Sequence, residues 1–374
     1  MVAVENNEGA LPNYLVTFHS AWSYGACLQA YATLEAMAAL GKRFEILNYI
    51  SPYAKHKNTF DLLKEGSLKQ AATTAVKDIV FRRTALHKKA FGGFEERIAV
   101  TDALYTDVSQ LGEIKADILM SGSDQIWNPQ ITGGLDPVFF LQFGSCRKRV
   151  SVASSLGSYS YTPEESAQVK TYLGTYDRVS VREAHAQREI EAATGSQAFR
   201  CLDPTLLLDT AYWRAFARKP EGFSGDERYI LVFNLAKRSA QEEQAWRAFA
   251  DDAGLPLWRI SNNTHKDSVF DRLLLGMTPE EFVWLVDHAQ FVITDSFHGT
   301  AFSVNMNTPF VAFPPVFGNS ARIADLLALI GMDERLLDGA CDLARFAQAD
   351  FSAANAALAE ERGKCNAWIA DALR

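Results

Sequence analysis

The sequence predicts an α/β protein of two domains with a cleft between them. Three observations carry that expectation. The chain opens with a strand, turn, helix and strand, and a second series of the same kind begins at Tyr229. At 374 residues it is also longer than one ordinary core accommodates. Strands joined through helices need crossover connections, so the sheets are expected to be parallel.

Residues 14–18 form the first apolar strand, and residues 19–25 a polar turn. Residues 26–40 are good helix formers with apolar side chains at helical spacing, closed by Gly41. Residues 44–49 are the next strand. Residues 51–100 have helical patches and no clear strand, and are expected to be a helical insertion. Its centre, residues 77–89, carries Arg82, Arg83, His87, Lys88 and Lys89 among Val80, Phe81 and Leu86. That pattern fits either a solvated helix face or a basic amphipathic segment against an anionic membrane surface.

Strands are expected at 116–120, 138–143 and 149–154, then a helix at 163–173. Residues 178–183 end a strand on Arg182-Glu183, with a helix at 184–193. Asp203-Pro204 is a turn signal. The second series has strands at 229–233, 257–260, 291–294 and 310–313, with helices at 241–250 and 321–330 and a helical tail from 343 to 373. The expected division is an N-terminal domain at 1–175 and a C-terminal domain at 176–374.

Composition narrows the function. Acidic residues outnumber basic ones, 45 to 37, which argues against a nucleic-acid partner and its basic face. The five cysteines form no C-x-x-C pair, so a disulfide framework or zinc site is not expected. The N-terminus has neither a basic nor an apolar leader region, and no apolar run is long enough for a membrane span. A cytoplasmic protein is expected, with a peripheral contact at the inner membrane face if the basic segment provides one. Walker, dinucleotide, H-E-x-x-H and G-x-S-x-G patterns are absent, and the seven histidines are too scattered to argue a metal site.

The most informative stretch is Phe291-Val-Ile-Thr-Asp-Ser-Phe-His-Gly-Thr-Ala-Phe-Ser-Val304. A strand here runs through a polar turn into a helix. Ligands of open α/β sheets bind beyond such strand ends, and a helix start offers unpaired N–H groups to an anion. His298 is therefore placed beside an anionic substrate, with Gly299 allowing close approach to the backbone. Asp295 either orients His298 or caps its helix. A second polar turn, Ser121-Gly-Ser-Asp-Gln-Ile-Trp-Asn128, ends another strand. There Trp127 could stack on a sugar ring while Asp124 and Asn128 bind hydroxyls, or Trp127 could be core and Asp124 a cap.

Together with Ser23-Tyr-Gly-Ala-Cys-Leu-Gln-Ala-Tyr31, Ser180-Val-Arg-Glu183, Asp203-Pro-Thr-Leu-Leu207 and Ser320-Ala-Arg-Ile323, these turns make the chain resemble the polysaccharide pyruvyltransferase family. The resemblance implies a GT-B-like fold of two Rossmann-like domains. It implies phosphoenolpyruvate as donor, with no cofactor or metal, and a cell-surface or exopolysaccharide sugar or its lipid-linked precursor as acceptor. The product would be a pyruvate ketal, with release of phosphate. His298 becomes the general acid and Arg182 a donor ligand. Many members carry Arg two residues before the His, where this chain has Ser296. The donor's cations must then come from Arg182, Lys237, Arg238 and Arg322.

The expected site is thus His298 and Asp124 for catalysis, with Ser296, Gly299 and Thr300 beside those four cations for the donor. For the acceptor it is His19, Tyr24, Gly25, Gln29, Asp124, Trp127 and Asn128. Two other functions fit the same pattern. One is a glycosyltransferase using a nucleotide sugar, which commonly has a Glu-x7-Glu pattern that Glu280 and Glu281 do not provide. The other is a non-catalytic sugar-binding homologue.

Overall fold

The computed structural model describes residues 11–20, 22–53, 83–261, 268–316 and 320–374. It contains two parallel sheets. The first has the order β2-β1-β3-β4, from β1 (Asn13–Val16), β2 (Glu45–Ile46), β3 (Lys115–Ser121) and β4 (Ser145–Ser151). The pair β5 (Ser180–Val181) and β6 (Phe199–Arg200) joins it beside β4 through bridges from Val150 to Arg178 and from Ser154 to Val181. The second sheet is built from β7 (Ile230–Phe233), β8 (Leu257–Ser261), β9 (Arg272–Leu275), β10 (Phe291–Thr294) and β11 (Phe310–Ala312), in the order β11-β10-β7-β8-β9. The central strands β7 and β10 are buried along their whole length, which is why they read as unbroken apolar runs.

The two α/β halves are the expected ones, but the division between them moves. Because β5 and β6 continue the first sheet, residues 178–200 belong with it, and we place the crossing to the second half after Arg200 rather than at 175/176. The C-terminal helix, labelled α3 below, returns to the first half. Two other helices position the site: α1 (Tyr24–Ala39) at the first strand's end and α2 (Phe297–Met306) after β10; α3 is Ser352–Ala372. On α3, Trp368 stacks on Phe199 with ring centroids 4.9 Å apart, and Lys148 Nζ donates to the Ala372 carbonyl at 3.2 Å.

The halves meet along α1. One continuous apolar core takes Leu28 and Met37 from the first half and Leu231, Phe282 and Phe302 from the second. Tyr24 pins this seam, donating its hydroxyl to the Met277 carbonyl at 2.8 Å while stacking on Phe282.

Residues 138–143, expected as a strand, are instead a buried turn. Leu141 takes φ 54°, and Val138 to Leu141 are at most 1% exposed. An apolar run of that length satisfies burial equally well without a ladder. The structure adds an edge strand, β9, to the expected ones. Of the basic segment, residues 77–82 lie outside the described residues. In the helix Arg83–Phe91, His87 turns inward to stack on Trp22, and Lys88 and Lys89 are exposed. Among the described residues no helix is long and apolar enough to cross a membrane.

Candidate active site

Arg182 follows β5 and is almost completely buried. Its Nη1 donates to Asp203 Oδ2 at 2.5 Å, Nη2 to Ser155 Oγ at 3.1 Å and Nε to Glu183 Oε1 at 3.4 Å. Asp124 Oδ1 lies 3.9 Å from Nη2. Burial alone would discharge the guanidinium, but Asp203, Glu183 and Asp124 outweigh it and hold it firmly charged.

Asp203 is the hub of this cluster. It caps the short helix Pro204–Leu207, and its Oδ1 accepts from Thr205 N at 2.9 Å and Thr205 Oγ1 at 2.6 Å. Its Oδ2 faces both Arg182 and the imidazole of His298, whose Nε2 is 3.7 Å away. Burial pushes the carboxyl group's pKa up, but His298 and Arg182 more than reverse this and hold it well below the usual carboxylate range.

His298 comes from the other half. After β10, Ser296 caps α2 by accepting from Gly299 N at 3.3 Å, and Thr300 Oγ1 returns a hydrogen bond to the Ser296 carbonyl at 3.1 Å. This cap sets the direction of the first turn, and His298 points from it into the seam. A Cβ on Gly25 would lie 2.2 Å from His298 Nδ1, so the imidazole rests directly on the start of α1. Nε2 is buried with no hydrogen-bond partner.

Arg322, on the helix Ala321–Ile330, completes the group. Its guanidinium lies 5.8 Å from the Phe297 ring centroid, and that of Arg182 lies 5.1 Å from it. Burial and the charge of Arg182 pull the pKa of Arg322 down. It makes no hydrogen bond or ion pair among the described residues. Arg182, Asp203, Phe297 and Arg322 line a cavity of about 40 Å³, and His298 itself is not part of its lining.

The structure therefore joins Asp124, Arg182, His298, Gly25 and Arg322, and disperses the rest. Trp127 is corrected from sugar platform to core: it is fully buried, stacks on Phe140 and donates Nε1–H to the Phe139 carbonyl at 3.0 Å. Asn128 caps a helical turn, its Oδ1 accepting from Gln130 N. Gln29 is corrected likewise, being fully buried with its amide donating to Thr17, Phe18 and Ala26. Tyr24 serves the seam, and Thr300 is fully buried with its hydroxyl engaged. Gly299 is required by packing rather than by a ligand, since a Cβ there would meet Thr294 Oγ1 at 2.2 Å.

His19 lies apart, lining a 90 Å³ pocket with Trp22, Lys88 and Phe91, its ring nitrogens against the Thr17 carbonyl and Asn48 Oδ1. Lys237 is exposed on the loop after β7. Arg238 is turned to its own half, pairing with Glu242 and donating to the Pro314 carbonyl at 2.7 Å. Asp295 accepts from Leu235 N at 2.7 Å and neighbours Arg238, so it does not orient His298. Asp203, Glu183 and Ser155 join the site only through the fold. The helix-capping pattern Asp203-Pro-Thr was legible as a turn, but nothing local ties it to Arg182. Among the described residues no group of three or more His, Cys, Asp or Glu side chains is placed to hold a metal ion.

A model of the polysaccharide pyruvyl transferase family matches residues 24–315. The chain belongs to that family. The match takes in Gly25, Asp124, Arg182, Asp203 and His298 and ends before Arg322. As a member of the polysaccharide pyruvyl transferases, the chain is a transferase of polysaccharide synthesis. No curated protein matches it. Among solved structures it is similar to a UDP-N-acetylglucosamine 2-epimerase from Rickettsia bellii, at 9% identity, covering 96% of this chain and 97% of that one with a TM-score of 0.46. It is also similar to an E. coli heptosyltransferase with ADP (12%, 95% and 99%, 0.39). A third is the glycosyltransferase SnogD from Streptomyces nogalater (13%, 97% and 98%, 0.42).

Proposed function

We propose that the protein transfers pyruvate from phosphoenolpyruvate to two hydroxyls of a sugar in a polysaccharide or its lipid-linked precursor. The observation that carries this reading is a buried His in a cluster with two arginines, only one of which is tied down by carboxylates. Arg182 is bonded directly to Asp203 and Glu183, whereas Arg322, though in the field of the same acids, makes no hydrogen bond or ion pair among the described residues. A small anionic donor supplies the hydrogen-bonding partner that Arg322 lacks, and a guanidinium fork suits both carboxylate and phosphate.

In this reading protonated His298 gives its proton to the methylene carbon of the enol phosphate. The neighbouring carbon gains cationic character, and a sugar hydroxyl adds to it and gives its proton to the now neutral His298. The bond to phosphate then breaks, Arg322 taking the developing charge, and the second hydroxyl closes the ketal as its proton leaves with phosphate. Asp203 holds the imidazole between Arg182 and Gly25. The 40 Å³ cavity has room for about three waters, so in this reading it widens to admit the donor. If the acceptor is lipid-linked, exposed Lys88 and Lys89 are suited to the membrane surface.

The test is thermal-shift titration with phosphoenolpyruvate, followed by phosphate release in the presence of a panel of glycosides. The wild type is expected to be stabilised by phosphoenolpyruvate, and Arg322→Ala to lose at least about tenfold in affinity, as for a charge-assisted contact. Stabilisation by nucleotide sugars and not by phosphoenolpyruvate would replace this reading with a glycosyltransferase.

A further inference from the structure

The active-site cavity is walled by both halves of the protein. From the first half come Arg182 and Glu183, at the end of β5 and directly before the helix Ala184–Thr194. From the second half comes the helix Ala321–Ile330, whose Arg322, Asp325, Leu326 and Leu329 line the cavity. Positions three, four and seven residues beyond Arg322 share its helical face. Arg322 is not fixed by bonds of its own. It makes no hydrogen bond or ion pair among the described residues, and the Phe297 ring near it belongs to the same half. Its helix therefore decides where the guanidinium stands relative to Arg182.

One turn along, that helix is tied to the opposite wall. Asp325 Oδ2 accepts from Ala184 N at 2.8 Å, a bond between residues 141 positions apart. Ala184 opens a helix whose N-cap residue, Glu183, makes no side-chain cap. The Glu183 carboxylate faces Arg182 and Ser155 instead. Asp325 thus supplies, from the other half, a partner for one of the N–H groups that a helix start leaves free. Its negative charge also suits the positive end of the helix dipole.

We infer that Asp325 is a positioning residue: by joining the two halves beside the cavity, it holds Arg322 near Arg182 before any ligand arrives. What Arg322 then binds rests on the reading under Proposed function. Without the tie, the helix can carry Arg322 away, and the donor must draw it back. The apparent affinity then falls by the fraction of molecules still correctly arranged, whereas the rate at saturating donor is kept.

The first measurement needs no donor. The full chain is treated with phenylglyoxal, which modifies accessible guanidinium groups, and labelling of Arg322 is followed by peptide mapping. Arg335, buried elsewhere in the second half, is the internal standard. Asp325→Ala is expected to speed labelling of Arg322 by about tenfold with Arg335 unchanged, the size of one hydrogen bond to a charged group. Asp325→Asn keeps an acceptor for Ala184 N and is expected to lie between. Equal labelling of Arg322 in wild type and Asp325→Ala, or a matching rise at Arg335, overturns the proposal. The second measurement is calorimetric titration with phosphoenolpyruvate. Asp325→Ala is expected to weaken binding about tenfold in the wild-type background but less than about twofold on Arg322→Ala, because its effect passes through that side chain. Its KM for phosphoenolpyruvate should rise by the same factor, with kcat within about twofold of wild type. A full-sized effect on Arg322→Ala overturns the proposal. If the wild type itself binds no phosphoenolpyruvate, the proposed reaction falls, and the labelling rates alone decide the role of Asp325.

Discussion

Two buried aspartates in this protein behave in opposite ways. Asp203 and Asp295 are each 1% exposed, each sits in a turn, and each has an arginine nearby. Asp203 touches Arg182 at 2.5 Å and faces His298, and its carboxyl is held well below the usual range. Asp295 Oδ2 lies 3.9 Å from Arg238 and has no hydrogen-bond partner, and burial pushes its pKa up despite the amide of Leu235. Equal burial thus leads to opposite signs, because the partner's distance decides which effect wins. The two arginines differ in the same way. Arg238 is met by Glu242, four residues on in the helix that its loop leads into, whereas Arg182 draws acids from positions 124, 183 and 203. A pair made between neighbours in sequence fixes a local turn. A cluster assembled from distant segments, with a histidine of the other half against it, is where chemistry can be placed.

The comparison makes the His298 side of the seam the working one, and removing its acid is the most direct way to break it. His298→Ala is expected to lower kcat by about 10²- to 10⁴-fold while keeping the fold and phosphoenolpyruvate binding. Single-turnover phosphate release reads this, and a variant retaining most of its rate would reduce His298 to a turn residue.

Asp203→Asn comes next. It leaves Arg182 buried with less compensation, at a cost of about 3–5 kcal/mol measured by denaturant unfolding. Its pH dependence follows from the depressed pKa. The unfolded carboxyl titrates near about 3.9, so its stabilising contribution is complete above that pH and is lost as pH falls further. The variant should therefore be less stable than wild type at pH 7 and less sensitive to acid below about pH 4. Parallel acid-denaturation curves would contradict the role given to the Arg182 pair.

Gly25→Ala probes the contact between the halves. The new Cβ must displace the imidazole, and overpacking of this kind costs about 1–3 kcal/mol. The rate should fall further than stability explains, by up to about 10²-fold, because the ring is moved rather than removed. Unchanged kinetics would mean that the ring leaves Gly25 during turnover at no cost.

The smallest effect is expected at Asp295→Asn. With its folded pKa raised, the ionised carboxylate is disfavoured, and its stabilising contribution is lost as pH rises through that range. The amide still accepts from Leu235, so at pH 7 the variant should be unchanged or more stable by up to about 1 kcal/mol. A clear loss of melting temperature would show that Asp295 and Arg238 form a tighter pair than their 3.9 Å separation implies.

The sequence by itself determined the elements whose signals are local. Burial on both faces makes β7 and β10 read as apolar runs, and glycine and proline mark the ends of α1 and of the short helix Pro204–Leu207. Arg182 and His298 were legible because each closes a strand in a polar turn. Only the tertiary structure decided what those side chains meet. It sent Trp127 into the core against Phe140, turned residues 138–143 from a strand into a covering turn, and carried β5 and β6 to the first sheet. It also brought Asp203 to Arg182 and His298, across 21 and 95 positions of chain. Periodicity and capping depend on neighbours a few residues away and leave their mark in the order of residues. A contact between segments that far apart depends on how two sheets stack along α1, and no local pattern in the chain records it.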